Sequence, residues 1–134
     1  QSYNDKGNVL YSLRRYEEAL AAYDFVTRRD PTSAYAYNNK GNALSRLKRY
    51  QEAIAAYEQA SQLDPTFALP YNNKGRALFF LGRYLESLVA YERALQLNPN
   101  FAATYTNRAE TFEKLGWTQE AAFARSKAQE LRNK

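Results

Sequence analysis

The sequence predicts an all-α solenoid of four antiparallel helix pairs, and three observations predict it. The stretch Tyr37-Asn38-Asn39-Lys40-Gly41-Asn42-Ala43-Leu44 returns 34 residues later as Tyr71-Asn72-Asn73-Lys74-Gly75-Arg76-Ala77-Leu78. One interval earlier it reads Tyr3-Asn4-Asp5-Lys6-Gly7-Asn8-Val9-Leu10, and one later Tyr105-Thr106-Asn107-Arg108-Ala109-Glu110-Thr111-Phe112. Within a period, apolar residues fall twice at helical spacing. Proline then closes each of the first three periods, at Pro31, Pro65 and Pro99. Self-similarity at one short period means units that bury their apolar faces only against their neighbours.

The units are residues 1–33, 34–67, 68–101 and 102–134. In the second, Tyr37, Gly41, Leu44 and Leu47 mark a first helix, and after Lys48-Arg49 a second set runs Tyr50, Ala53, Ile54, Tyr57 and Ala60. Asp64-Pro65-Thr66 ends that helix, because proline cannot continue it and the preceding residue is pushed out of the helical region. Asp30-Pro31-Thr32 and Asn98-Pro99-Asn100 act alike, and their Thr or Asn is expected to cap the next helix. Gly41, Ala53 and Ala60 sit where larger side chains would hold the paired helices apart, and tyrosines fill the space beside them. The fourth unit departs most: Ala109 replaces the glycine, Thr118 and Arg125 the tyrosines, and Asn133 the proline. Its second helix, from Thr118 to Leu131, is more polar and is expected to cap the array, with Phe123 and Leu131 keeping an inward stripe. No comparable cap precedes Gln1, so the first helix is expected to expose a side that a further repeat or domain would cover. The chain is read as a fragment of a larger protein.

Composition excludes several functions. The chain of 134 residues has neither cysteine nor histidine, which removes thiolate nucleophiles, Cys/His zinc sites and the usual neutral-pH proton carrier. No apolar run approaches the ~20 residues of a membrane span. No cofactor, metal, membrane or small-molecule substrate is expected, and the expected location is cytoplasmic. The net charge of +5 is spread by unit as 0, +1, +2 and +2, a solvated surface rather than a basic stripe, so nucleic acid is disfavoured. Glu110 and Glu113 form the best carboxylate pair, yet no partner for acid–base work accompanies them, and no catalytic residue is assigned.

The period, Gly7/Gly41/Gly75, Tyr23/Tyr57/Tyr91, Ala19/Ala53 and Pro31/Pro65/Pro99 resemble the tetratricopeptide repeat over the whole chain. The basic residues Lys6, Lys40, Lys74 and Arg108 depart from the family's usual leucine before the glycine, and Ser87 from its alanine. The resemblance implies a right-handed superhelix and a protein-binding module whose concave wall is made by the first helix of every unit. Inward positions are then those six, three and two residues before the glycine and one, four and five after it. The first helix so contributes Gln1 and Asn8, among others. The second contributes Tyr35, Asn39 and Asn42, the third Leu69, Asn73, Arg76, Phe79 and Phe80, and the fourth Asn107.

These ten from Asn8 onward are the candidate peptide-binding residues. Asn39, Asn73 and Asn107 recur at one place, and a carboxamide pairs with both N–H and C=O of an extended backbone. They resemble the asparagine ladder of O-linked N-acetylglucosamine transferase and kinesin light chains, and are expected to face solvent when no ligand is bound. Of Phe79 and Phe80, adjacent on a helix and so about 100° apart, one is expected to face the groove. Chaperone-binding members hold a terminal carboxylate with a set of lysines, arginine and asparagines. Here Asn4, Asn38, Leu69, Ala103, Asn73 and Asn107 stand where its cations belong, which argues against a chaperone tail. Groove charges at Asp5, Arg46, Arg76, Glu110, Glu113 and Lys114 sum to almost zero, so binding is expected to be weakly salt-dependent. The competing readings are a scaffold that self-associates through its uncapped N-terminal end and, behind it, a basic nucleic-acid surface.

Overall fold

A computed structural model describes residues 2–134. Gln1, an expected groove position, lies outside them. Eight helices follow in order: α1 (Tyr3–Ser12), α2 (Tyr16–Arg29), α3 (Ala34–Arg46), α4 (Tyr50–Leu63), α5 (Ala68–Phe80), α6 (Tyr84–Leu97), α7 (Ala102–Lys114) and α8 (Thr118–Arg132). Consecutive helices pack as antiparallel hairpins, each hairpin stacks on the next, and α1, α3, α5 and α7 touch along the inner wall of a right-handed superhelix.

Each of the first three hairpins is closed by one glycine–tyrosine contact. A Cβ on Gly7, Gly41 or Gly75 would stand 2.6, 2.5 or 2.5 Å from Cε1 of Tyr23, Tyr57 or Tyr91. Only glycine leaves room for the ring, which is then 2%, 2% and 0% exposed. Ala19, Ala53, Ala60, Ala94 and Ala109 are fully buried where helices approach closely, so the core rests on small residues beside large rings.

The turn inside each unit places one residue in the left-handed region: Arg14, Lys48, Gly82 and Gly116, with φ of 62, 62, 77 and 78°. The next N–H bonds back to the helix (Arg49 N to Leu44 O, 2.9 Å), closing the last turn. Between units the expected capping is not found. Thr32 and Thr66 donate to Asp30 and Asp64 Oδ1 through their hydroxyls at 2.6 and 2.7 Å, bracing the proline turn itself. The cap of α3 is Ser33, whose Oγ accepts from Ala36 N at 3.1 Å, while Phe67 and Phe101 precede α5 and α7 with no side-chain cap.

The basic residues before the glycines have a role that a solvated stem does not describe. Lys40 pairs with Asp24 at 2.9 Å, Lys74 with Glu58 at 2.9 Å and Arg108 with Glu92 at 3.5 Å. Each pair joins the first helix of one unit to the second helix of the unit before. Phe123 corrects another expectation: it is 71% exposed, and α8 packs through Ala121, Ala124 and Ala128 instead. Phe123 stands one unit beyond Val89, itself 72% exposed, so this register points outward.

Candidate functional site

The concave wall is built from α1, α3, α5 and α7, and the asparagine series runs along it inside the wall rather than on it. Asn73 Nδ2 donates to Asn38 Oδ1 at 3.1 Å, and Asn107 Nδ2 to Asn72 Oδ1 at 3.1 Å. Asn39 Nδ2 reaches Asn4 Oδ1 at 3.3 Å and Asn8 Oδ1 at 3.5 Å. The expectation that these side chains face solvent is therefore corrected: Asn39 and Asn107 are 8% and 9% exposed, and each carboxamide ties its helix to the preceding unit. Helices packed this closely leave a polar side chain on the shared flank no room to stand free, so it bonds its counterpart.

Asn8 and Asn42 are also anchors. Their Oδ1 atoms accept the hydroxyls of Tyr23 and Tyr57 at 2.6 and 2.7 Å, fixing the rings that fill the glycine gaps. The third unit breaks this pattern, because Arg76 stands in the asparagine's place and the buried Tyr91 hydroxyl is left without a partner. Burial pushes the Tyr23 and Tyr91 hydroxyls up to about 12 and raises Tyr57 as well, so all three rings are neutral below that range.

Arg76 turns along the wall. Its Nη1 donates to Asn107 Oδ1 at 2.8 Å, lies 3.8 Å from Glu110 Oε1, and its guanidinium sits 5.2 Å over the Phe80 ring. Phe80 is half exposed and stacks on Tyr50 at 5.3 Å, whereas Phe79 lies against Tyr84 at 5.6 Å, between the two helices of its unit. Phe80 is thus the phenylalanine in the groove. Arg46 lies opposite, its Nε donating to the Tyr11 hydroxyl at 3.0 Å.

These side chains enclose the main cavity of the wall, about 490 Å³, lined also by Lys48 of the α3–α4 turn. Asn42, Asn73, Arg76 and Phe80 of the expected set meet here. Asn8 and Asn39 line a smaller cavity of about 220 Å³ beside it, sharing Tyr11. Tyr35, half exposed, and the half-buried Leu69 line neither, and Asn107 reaches the site only through Arg76. Lys48 and Tyr50 were missed because they belong to the turn and to the second helix. The signal for Lys48 was the absence of repetition, since it shares its register with Arg14, Gly82 and Gly116, whereas Tyr50 recurs as Tyr16 and Tyr84 and carried no such signal.

The near-zero sum of groove charge is also corrected in its distribution. Glu113 is held in a two-pronged pair by Arg125 at 2.7 and 2.9 Å, which keeps its carboxyl below the ordinary carboxylate range. Arg46, Lys48 and Arg76 line the cavity, and no carboxylate among the described residues does. No group of three or more acidic side chains among the described residues is placed to hold a metal ion, and no described helix is long and apolar enough to cross a membrane.

A family model described as tetratricopeptide repeat matches residues 4–66, and a second, described as TPR repeat, matches residues 75–116. No curated protein matches the sequence. Among solved structures, a crystal structure of MamA is similar at 25% identity and TM-score 0.89, covering 98% of this chain and 77% of that one. The first TPR of Spaghetti (RPAP3) bound to HSP90 peptide SRMEEVD is similar at 27% identity and TM-score 0.82, covering 85% of this chain and 90% of that one. MamA from Desulfovibrio magneticus RS-1 aligns at 23% identity and TM-score 0.88, covering 98% and 74%, which shows the fold alone.

Proposed function

Since the chain belongs to the tetratricopeptide repeat family, we propose that it is a protein-interaction module that takes an extended or helical segment of a partner in its concave groove. The observation that carries this reading is the cavity of about 490 Å³ on the inner wall, where half-exposed Phe80 lies open beside Arg46 and Arg76. An exposed ring in a concave, mixed apolar and charged site is what a partner's side chain would cover. The RPAP3 domain, similar in fold and bound to a peptide, supports a peptide as ligand class. It does not transfer the ligand, because the clamp cations are absent from the corresponding positions. No catalytic role is proposed.

The asparagines enter this reading as supports. They hold α1, α3, α5 and α7 in register, so the wall is already shaped before a partner arrives. The test is selection of an unbiased peptide display library on the wild-type chain and on Phe80→Ala. Peptides retained by the wild type and lost by Phe80→Ala support the groove. Peptides bound equally by both would place the partner surface elsewhere.

A second reading is a scaffold that stacks through its α1 end. Val9 is 50% exposed, whereas Ala43 and Ala77 in the same register are 0% and 1% exposed, each under the preceding unit. Lys6 has no carboxylate partner among the described residues, while Lys40, Lys74 and Arg108 each have one. Copies stacked head to tail would meet Lys6 with Ser126, the residue one period beyond Asp24, Glu58 and Glu92, and not with an acid. That mismatch favours the groove.

A further inference from the structure

We propose that the cavity between α3 and α5 is an anion seat, which takes the carboxylate of one Asp or Glu in an extended partner segment while Phe80 and Tyr50 take an apolar side chain two residues along. The inference rests on the groove reading above and names the chemistry of what the groove holds.

Three cations converge on the cavity and are incompletely neutralised. Arg46 spends its Nε on the Tyr11 hydroxyl at 3.0 Å and its ring contacts lie at 5.8 and 5.9 Å, over Tyr11 and Tyr16, so no carboxylate faces it. Arg76 gives Nη1 to Asn107 and pairs loosely with Glu110 at 3.8 Å, the one carboxylate among the described residues beside any of the three. Lys48 is presented to the cavity from the α3–α4 turn, where its backbone φ is 62°. A guanidinium anchored through one nitrogen keeps the others for a ligand in a set direction, which suits a carboxylate.

The apolar half is equally placed. Phe80 and Tyr50 stack at 19° between planes, and the Arg76 guanidinium covers the Phe80 ring at 5.2 Å. In an extended segment the side chains of residues i and i+2 share one face about 7 Å apart. Arg76 and the Phe80 ring, 5.2 Å apart, therefore meet an acidic residue and its second neighbour at once, with Arg46 lining the same cavity. The wall on either side argues against a polyanion. Glu110 lies on α7 and Asp5 on α1, so a phosphate backbone running the length of the groove would meet an acid at each end. A segment with one acidic residue avoids them.

The experiment uses fluorescein-labelled nonapeptides with a central Glu-X-Phe unit, X being each residue in turn, with Gln-X-Phe and Glu-X-Ala controls and a labelled oligouridylate of nine nucleotides. Anisotropy is read on the wild type, Arg46→Gln, Arg46→Lys and Phe80→Ala, with folding checked by circular dichroism; Arg46 bonds only an exposed hydroxyl, so its variants are expected to fold. The expected result is that the best Glu-X-Phe peptide binds the wild type about tenfold more tightly than its Gln counterpart. Arg46→Gln should abolish that preference, and Arg46→Lys should restore part of it. Equal binding of Glu and Gln peptides overturns the anion seat while leaving the groove reading intact. No binding by any of these peptides overturns the seat too, and the unbiased library then decides the groove separately. Oligouridylate bound more tightly than every peptide, and lost in Arg46→Gln, overturns the protein segment as occupant.

Discussion

Replacing Asn73 by alanine should destabilise the array without any ligand present, because the side chain is a strut between units. Its Nδ2 donates to Asn38 Oδ1 at 3.1 Å, that oxygen has no other partner among the described residues, and Asn38 is 1% exposed. Removing the donor leaves a buried carbonyl oxygen dry, which costs ~1–3 kcal/mol. Asn73 is itself half-buried, so water entering the vacated space should hold the loss near ~1–2 kcal/mol, or ~4 °C in melting temperature for each kcal/mol. Asn39→Ala should cost less, since its contacts are 3.3 and 3.5 Å long and their acceptors, Asn4 and Asn8, are only half-buried. Asn107→Ala leaves Asn72 Oδ1 bonded to Thr104 at 2.8 Å and should fall between them. Urea titration followed by far-ultraviolet circular dichroism measures each loss, and the cycle Asn38→Ala, Asn73→Ala and the double variant isolates a coupling of ~0.5–1.5 kcal/mol. Stability within ~0.3 kcal/mol of wild type, with no coupling, would refute the strut and return these amides to the solvent.

Tyr57→Phe should cost ~1 kcal/mol in the same titration because it strands Asn42 Oδ1, whereas Tyr91→Phe should be neutral or stabilising, its hydroxyl being buried without a partner; equal losses would refute this. Gly41→Ala sets a Cβ 2.5 Å from the Tyr57 ring and should cost ~1–3 kcal/mol by overpacking, with a loss under ~0.5 kcal/mol showing that the ring moves freely. The folded state raises the Tyr23, Tyr57 and Tyr91 values above 10, so their contribution is complete below pH 10 and, for Tyr23 and Tyr91, is lost as pH rises through about 12. The last part of the rise in absorbance at 295 nm, from three of the chain's twelve tyrosines, should accordingly accompany loss of circular dichroism above pH 10, and complete tyrosinate formation with the helices intact would contradict it. On the stacking reading, sedimentation should show association that grows with concentration and is reduced by Val9→Glu; a monomer throughout would remove that reading.

Most of the fold was legible because a stacking contact has to recur. Gly7, Gly41 and Gly75 predict the ring that fills each gap, and the proline turns predict where each second helix stops. Lys40, Lys74 and Arg108 were legible as a series, and the signal of their partners is the equally spaced series Asp24, Glu58 and Glu92, sixteen residues upstream. Periodicity says that a position matters to every unit and not which side of the helix flank it serves. The asparagines illustrate the difference: their recurrence identified a shared role, and the hydrogen bonds between units show what that role is.

Variation between units, by contrast, marks the candidate site. A position that must join neighbours is constrained to repeat, whereas a position that meets solvent or a ligand is free to vary from unit to unit. Arg46 and Phe80 occupy one register, shared with Ser12 and Lys114, and Arg76 stands in the place held by Asn8, Asn42 and Glu110. Substituting arginine there breaks the asparagine–tyrosine bond seen in the first two units and leaves the Tyr91 hydroxyl dry. A buried unpaired hydroxyl costs ~1–3 kcal/mol, and Arg76 relieves none of it for its own hairpin. What it adds lies on the wall, a guanidinium over Phe80 and opposite Arg46. A loss of stability within its own hairpin, offset only by the contacts Arg76 makes along the wall to Asn107, Glu110 and the Phe80 ring, is the arrangement expected of a recognition residue.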